Sequence, residues 1–149
     1  MQVLATCPGR VFAITEVSDP VFAAEMVGPG IAIDPAREPT VVVAPVAGTI
    51  LKLHPHAFAM ATPDGLGILV HLGINTVRLA GAGFEVLATE GATVAAGDPT
   101  VSWNPAELSG DDLSATVMVV ALDRPGGTVS SPAIGCDVAS GEILFGVAA

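Results

Sequence analysis

The chain carries its three histidines within one stretch of eighteen residues, from His54 to His71. A neutral imidazole is a nucleophile near neutral pH. Two imidazoles on one surface can therefore transfer a group, with one ring attacking and the other stabilising what is transferred. Histidines at this density also suit two simpler roles, a structural pair bonded to nearby backbone or a surface zinc site. The choice depends on how the chain brings the rings together.

A turn sequence lies between the histidines. Residues 62–65 read TPDG, a strong turn signal between two apolar segments. If the two central residues form the loop, or if all four do, the resulting antiparallel hairpin pairs His56 directly with His71. A three-residue loop with Gly65 in a bulge instead pairs Ala57 with His71 and sends the two rings to opposite faces, unless a second bulge restores the pairing. We predict the direct pairing and keep the bulged loop as the alternative.

The predicted pairing surrounds the two imidazoles with apolar residues, because Phe58, Met60, Gly67 and Leu69 then share their face. Apolar surroundings disfavour the charged imidazolium and leave at least one ring neutral and nucleophilic. Backbone N–H groups near Gly73 can help to hold a transferred phosphoryl group. A flat apolar rim also suits docking of a second protein, since transfer between proteins needs a desolvated, in-line approach. The pattern is thus compatible with phosphoryl transfer between proteins, and it leaves a structural histidine pair or a surface zinc site as alternatives.

Composition indicates many short strands joined by tight turns. The chain is 51% hydrophobic, and its 17 glycines and 12 prolines interrupt nearly every apolar run. Only residues 104–108, NPAEL, read as a helical turn. The formal charge of −10 argues against nucleic acid or anionic membranes as partners and favours a basic protein surface.

Several further features predict a cytoplasmic location. No apolar run reaches the roughly 18 residues of a membrane span, and the amino terminus lacks the basic and apolar regions of a signal peptide. Cys7 and Cys136 are far apart with no CxxC spacing, which predicts reduced thiols rather than a disulfide framework or a cysteine zinc site.

Two short patterns occur twice. Residues 5–14, ATCPGRVFAI, align with residues 44–53, APVAGTILKL, and residues 91–101, GATVAAGDPTV, align with residues 135–145, GCDVASGEILF. Each glycine of these patterns is expected at a turn or a close backbone approach. The interleaved order predicts an all-β fold, an antiparallel β-sandwich with an internally duplicated motif and at most short helical turns.

The quoted stretches also resemble a known family. Four segments carry the likeness, in order from about Cys7 to Phe145: VFAAEMVGPGIAI at 21–33, VAPVAGTI at 43–50, HAF at 56–58 and VHLGINTVRLAGAGFEVLATEGATVAAGD at 70–98. They resemble the glucose-type IIA component of the bacterial phosphoenolpyruvate-dependent sugar phosphotransferase system. The resemblance implies a single IIA phosphocarrier domain over residues 1–149, a duplicated β-sandwich and a phosphotransferase component without a cofactor.

The resemblance also implies a role for each site residue. His71 is expected to accept a phosphoryl group on Nε2 from the phosphorylated carrier HPr. It would pass the group to a cysteine of a IIB domain of a sugar permease, for sugar uptake. His56 is expected to stabilise the group without carrying it. The residues expected to contact a partner, from the resemblance or from the predicted face, are Phe22, Asp19, Phe58, Leu69, Gly73 and Asn75.

The chain departs from the family pattern at two places. The family usually has Asp where this chain has Asn75, so one carboxylate expected to face a basic partner is missing. The segment before HAF is about two residues shorter, and the usual Thr that hydrogen-bonds the second histidine has no clear equivalent. His54 or a backbone group is the expected substitute.

Other classes fit the residues less well. A biotinyl or lipoyl carrier needs a lysine at a hairpin tip, and Lys52 lies inside a predicted strand. Lysostaphin-type zinc peptidases share the H-x-H spacing of His54 and His56, but their upstream histidine and aspartate ligands are absent. No resident metal is expected, although adventitious Zn²⁺ could bind at His56 and His71. A regulatory binding module with a histidine zinc site is the alternative function, and regulatory protein targets are compatible with phosphotransfer.

Overall fold

The computed structural model describes residues 1–148. In that part of the chain the elements are short strands, one four-residue helix and three 3₁₀ turns. The strands are β1 (Gln2–Leu4), β2 (Gly9–Ala13), β3 (Gly30–Pro35), β4 (Thr40–Val43), β5 (Gly48–His54), β6 (Ala57–Ala61), β7 (Gly67–Ile74), β8 (Phe84–Val86), β9 (Thr93–Val94), β10 (Pro99–Trp103), β11 (Ser114–Leu122), β12 (Val129–Ser130), β13 (Asp137–Val138) and β14 (Ile143–Val147). The helix α1 is Pro20–Ala23, and the 3₁₀ turns are Ile14–Glu16, Thr76–Leu79 and Pro105–Glu107.

These elements confirm the predicted all-β fold. The predicted turn at NPAEL is the 3₁₀ turn Pro105–Glu107, whose first residue is a proline and whose cap, Asn104, accepts a hydrogen bond from the Ala106 N–H at 3.0 Å. No helix among the described residues is both long and apolar enough to cross a membrane.

The strands form three antiparallel sheets around a shared core. The largest has the order β13-β2-β3-β11-β7-β6-β5-β9, and two three-stranded sheets have the orders β1-β14-β12 and β4-β10-β8. One face of the large sheet packs with the small sheets into the main core, whose largest fully buried side chains include Phe58, Phe145, Ile33, Ile50 and Met60. Side chains alternate between faces along each strand. Within the large sheet, the residues next to the buried ones therefore project from its outer face.

The predicted duplication is present in the backbone hydrogen bonds. The Leu4 N–H donates to the Pro45 carbonyl, and the Val43 N–H donates to the Thr6 carbonyl, both at 2.9 Å. Leu4 corresponds to Val43 in the repeat, and Thr6 corresponds to Pro45. Exchanging the two repeats therefore converts each of these hydrogen bonds into the other. The second repeated pattern behaves in the same way, because Gly97 donates to Ala44 O and Gly141 donates to Ala5 O.

Strand order shows the same two-fold relation. When repeat-equivalent strands are matched, the large sheet reads the same from both ends, with β13 matching β9, β2 matching β5, β3 matching β6 and β11 matching β7. The centre lies where Val70 of β7 pairs with Val119 of β11. The two small sheets exchange with each other in the same way. The chain therefore builds one sandwich from two copies of a seven-strand unit.

The two copies differ in one connection. Residues 14–29 join β2 to β3 and include a 3₁₀ turn and α1, whereas only Pro55 and His56 join β5 to β6. The longer connection lies on the outer face of the large sheet and buries an outer cluster there, formed by Ile14, Val17, Phe22, Ala32, Ile74, Met118 and Val120. The short connection cannot cover the equivalent part of the second copy. Within residues 1–148, the long connection thus covers the outer face on one side of the pseudo-two-fold axis, and the short connection does not cover the other side.

The close backbone approach at the repeated glycines gives a test of this fold. A Cβ at Gly48 would lie 2.2 Å from the Ala61 carbonyl oxygen, which belongs to the paired backbone and cannot move aside. We expect Gly48→Ala to lower the free energy of unfolding by about 3 kcal/mol, measured by urea denaturation.

Gly126→Ala is the matched control, because the nearest atom to its added Cβ is a glutamate side-chain oxygen at 3.9 Å. This variant should stay within about 0.5 kcal/mol of the native chain. Equal stabilities of the two variants would contradict the close approach of Gly48 to the Ala61 carbonyl oxygen.

Candidate functional site

His71 lies on the outer face of β7, directly opposite Met118 of β11. Its ring is half-buried, and its Nδ1 lies 2.6 Å from the carbonyl oxygen of Gly73. Because a carbonyl oxygen only accepts hydrogen bonds, Nδ1 must carry the proton. The lone pair of the neutral ring is therefore on Nε2, which is the nitrogen free to attack.

Gly73 makes this bond possible. Its φ is +85°, and an added Cβ would lie 2.4 Å from Thr76 Cγ2 and 2.7 Å from the Ser114 carbonyl oxygen. Only glycine fits this position without strain. Gly73 is itself buried, which leaves little surface for the partner contact predicted from the sequence. Its carbonyl oxygen instead orients the His71 ring through the hydrogen bond to Nδ1.

The register of the histidine hairpin differs from the prediction. Ala57, not His56, pairs with His71. The turn is a three-residue loop, closed by a hydrogen bond from the Thr62 N–H to the Leu66 carbonyl, with Gly65 at a φ of +87°. The direct pairing is therefore wrong and the bulged alternative is correct. Glycine accepts the left-handed conformation at no steric cost, which favours the longer loop.

The two rings nevertheless meet. His56 lies in the two-residue turn before β6, so the alternation of a strand does not fix the direction of its side chain. Its ring centroid is 5.3 Å from that of His71, in an edge-on arrangement with planes at 72°. The backbone of His56 is held by the Leu72 N–H, which donates to its carbonyl at 2.7 Å. The predicted contact between the two imidazoles is confirmed. It arises because His56 lies in a turn, and not from direct cross-strand pairing with His71.

The corrected register also changes the neighbours of the pair. Phe58 and Met60 face the main core and are 1% and 0% exposed. The prediction that Phe58 contacts a partner is therefore wrong, because its ring is not accessible. Leu69 remains on the outer face with His71, half-buried against the outer cluster.

Phe22 of α1 completes one side of the site. Its ring centroid lies 5.3 Å from that of His71, with planes tilted by 59°. Phe22 itself is buried, but Val21 and Met26 near it in sequence are 44% and 75% exposed. These two apolar side chains were not among the partner contacts predicted from the sequence. Their signal was present in the quoted segment VFAAEM, where hydrophobic residues occur on both sides of the phenylalanine.

Asp19 holds this apolar segment in place. Its carboxylate caps α1 by accepting hydrogen bonds from the N–H groups of Val21 at 2.8 Å and Phe22 at 3.3 Å. Burial lowers the pKa of His71, and the negative charge of Asp19 offsets part of that effect. Asp19 is thus part of the electrostatic environment of the site as well as of its scaffold.

Both imidazoles of the pair are neutral at pH 7. Burial lowers the pKa of His71 below 6.5, and the Gly73 hydrogen bond and the Asp19 charge offset that effect only in part. Burial also lowers the pKa of His56, with further lowering from the charged forms of His71 and His54. The lowered pKa values agree with the predicted neutral rings, and the role of His71 as a nucleophile stays a prediction.

Asn75 contacts the protein's own backbone. It has a left-handed φ of 62°, and its side-chain N–H donates to the Asp112 carbonyl at 2.9 Å. Arg78 of the following turn forms an ion pair of 3.3 Å with the carboxylate of the same Asp112. An aspartate side chain has no N–H to donate. Asn75 therefore forms a hydrogen bond between two loops that an aspartate at position 75 could not form.

The imidazoles do not form a three-ligand metal site. His54 stacks on His56 with centroids 5.9 Å apart, and His56 meets His71, so the rings form a row. Within residues 1–148 no group of three or more His, Cys, Asp or Glu side chains could hold a metal ion. The alternative of a regulatory module built on a histidine zinc site is not favoured.

The two cysteines are free thiols that take no part in the site. Cys7 is buried, and burial raises the pKa of its thiol to about 12. Cys136 is exposed. A thiol with so high a pKa is not a nucleophile at neutral pH.

Comparisons with known proteins agree with this arrangement. Residues 1–125 match the family model of the phosphoenolpyruvate-dependent sugar phosphotransferase system, EIIA 1. The PTS system glucose-specific EIIA component of Bacillus cereus is 40% identical over 122 residues, covering 80% of this chain and 72% of that protein. The PTS system glucose-specific EIICBA component of Streptococcus pneumoniae is 45% identical over 103 residues. That match covers 68% of this chain but only 14% of the longer protein.

A solved structure is similar over nearly its whole length. Glucose permease IIA from Mycoplasma capricolum matches with a TM-score of 0.84 and 32% identity, covering 97% of this chain and 94% of that one. The fold of this chain is therefore that of a glucose permease IIA domain, with two imidazoles meeting on the outer face of the large sheet. The chain belongs to the EIIA 1 family of the phosphoenolpyruvate-dependent sugar phosphotransferase system and is a phosphocarrier component of that system.

The lowered pKa of His71 makes a prediction about pH. Because the folded protein favours the neutral ring, the stabilisation from this group is complete above pH 6.5 and is lost as the pH falls through the lower pKa of the folded state. The free energy of unfolding should therefore decrease more between pH 7.5 and pH 5 in the native chain than in His71→Gln. Both chains keep His56, but His71 also lowers the pKa of His56, so the difference reports His71 together with its coupling to His56. A parallel decrease in the two would contradict the lowered pKa.

Proposed function

We propose that His71 carries the phosphoryl group on Nε2, taking it from phosphorylated HPr and giving it to a cysteine of a IIB domain of a sugar permease. The observation that supports this most directly is the hydrogen bond from Nδ1 to the Gly73 carbonyl, which leaves the Nε2 lone pair free. The neutral state of the ring at pH 7 makes that lone pair available for attack.

The transfer is a displacement at phosphorus. The Nε2 lone pair of His71 forms the new P–N bond while the P–N bond of the donor phosphohistidine breaks, and the bonding electrons return to the donor ring. Nδ1 keeps its proton, and the Gly73 carbonyl stabilises the positive charge that develops on the His71 ring. Onward transfer reverses the roles, with a thiolate sulfur attacking phosphorus and His71 leaving as the neutral imidazole.

His56 stabilises the moving group in this proposal. Its ring lies edge-on to His71, close enough for an N–H to reach oxygens of a phosphoryl group on the neighbouring ring. A neutral imidazole keeps one N–H donor, so the lowered pKa of His56 does not prevent this role. The group is stabilised during transfer without forming a bond to His56.

The surface around His71 suits successive protein partners. The exposed side chains of Val21 and Met26 extend the apolar surface beside Phe22, and Asp19 adds a carboxylate at its edge. An apolar patch in a chain of net charge −10 favours a partner that presents apolar and basic residues together. HPr and the IIB domain would then use the same patch in turn. The single IIA domain over residues 1–149 and its cytoplasmic location are part of the same proposal.

The first test is phosphorylation of His71. Incubation with phosphoenolpyruvate, enzyme I and HPr should place an acid-labile, base-stable phosphate on the native chain. We expect no such label on His71→Ala and full labelling of Cys136→Ser, an exposed substitution outside the site. Persistence of the label in His71→Ala, or its absence from the native chain, would overturn the proposed function.

The second test separates His56 from His71. His56→Gln keeps the nucleophile, so it should still accept phosphate from HPr. Its transfer to a IIB domain should be slower by about 100-fold, since one hydrogen-bond donor to the transferring oxygens is misplaced. The measurement is single-turnover loss of label from the purified phosphoprotein. Transfer at the native rate would remove His56 from the mechanism.

A further inference from the structure

His54 is the outermost of the three rings. It is the last residue of β5, and it pairs across the turn with Ala57, the first residue of β6. Its exposed ring stacks on His56 with centroids 5.9 Å apart and planes inclined by 25°. His56 in turn meets His71 edge-on. The His56 ring therefore contacts two others. It stacks on the ring of His54, and it meets the ring of His71, the proposed phosphoryl acceptor.

The backbone of the turn is well fixed, whereas the His56 ring makes no hydrogen bond to any of the residues that the structure describes. The Leu72 N–H binds the His56 carbonyl, and Pro55 fixes the preceding φ. The hydrogen bonds within residues 1–148 include none made by the His56 imidazole. Contacts with the neighbouring rings therefore orient its side chain, and among these His54 offers the stacked face.

We propose that His54 is a positioning residue for phosphoryl transfer, which holds the His56 ring in the orientation that reaches a phosphoryl group on His71. The inference rests on the proposed function of His71 and His56. His54 forms and breaks no bond in the reaction, and its whole effect passes through His56. A flat ring at position 54 is the required feature, because stacking depends on the face of the ring.

Two substitutions separate stacking from other roles. His54→Ala removes the stacked face, whereas His54→Phe keeps a flat ring of similar size. We expect His54→Ala to take up phosphate from HPr to the native extent but to transfer it to a IIB domain about 3- to 10-fold more slowly, the range that one ring pair supports. His54→Phe should stay within about 2-fold of the native rate. Leu51→Ala, at an exposed position of the same strand, is the control and should transfer normally.

A double-variant comparison tests whether the effect passes through His56. In a His56→Gln background, His54→Ala should cause no further slowing, because there is no imidazole left to orient. Additive losses in the double variant would overturn the inference. So would a native transfer rate in His54→Ala, or equal slowing in His54→Ala and His54→Phe.

A spectroscopic readout keeps this inference separate from the function on which it rests. In ¹H–¹⁵N spectra of the imidazoles, the His56 signals should shift in His54→Ala and stay near their native positions in His54→Phe. If the native chain took up no phosphate from HPr, the proposed function would fail while these spectra still reported whether His54 orients His56. Unchanged His56 signals in His54→Ala would show that the stacking does not position the ring.

Discussion

The hydrogen bond between His71 Nδ1 and the Gly73 carbonyl is the interaction on which the site depends. It fixes the tautomer, and with it the nitrogen that can react. The bond requires a left-handed turn of the backbone two residues after the histidine, and this turn fits only because Gly73 has no Cβ to meet Thr76 and Ser114. The reactivity of one side chain is thus set by the conformation of the strand end that follows it.

The duplicated fold supplies two equivalent positions for such a site and uses one. Where the Leu72 N–H binds the His56 carbonyl, the other copy has the Ala121 N–H bound to Pro29 at 2.8 Å. The counterpart of His71 in that copy is Val120, which is buried in the outer cluster beneath the longer connection. Unequal connections therefore turn a symmetric scaffold into a protein with one accessible site, because the short turn leaves the second position open.

The repeats were sufficient to predict the fold class. The meeting of His56 and His71 was predicted through a register that the structure does not have, and the rings meet because His56 lies in the turn before β6. The register was predicted wrongly because the sequence TPDG is compatible with both loop lengths. The left-handed conformation of Gly65 is what selects the longer loop. That one-residue shift also moved Phe58 to the core. The sequence pattern could not show that His56 lies outside its strand, where alternation does not constrain its ring. Stacking of His54 likewise depends on a turn whose length only the structure gives.

A phosphocarrier must release its group as readily as it accepts it, and the charges around His71 suit that requirement. The charged neighbour acting on the ring is the carboxylate of Asp19, which repels a phosphoryl dianion. Arg78, a cation in the turn that follows β7, is instead paired with Asp112. The stabilisation available from the rings comes from neutral His56, whose hydrogen bonds are weaker than those of a guanidinium. Under the proposed function, these groups would bind a phosphoryl group on His71 only weakly, so that a partner with complementary donors could remove it.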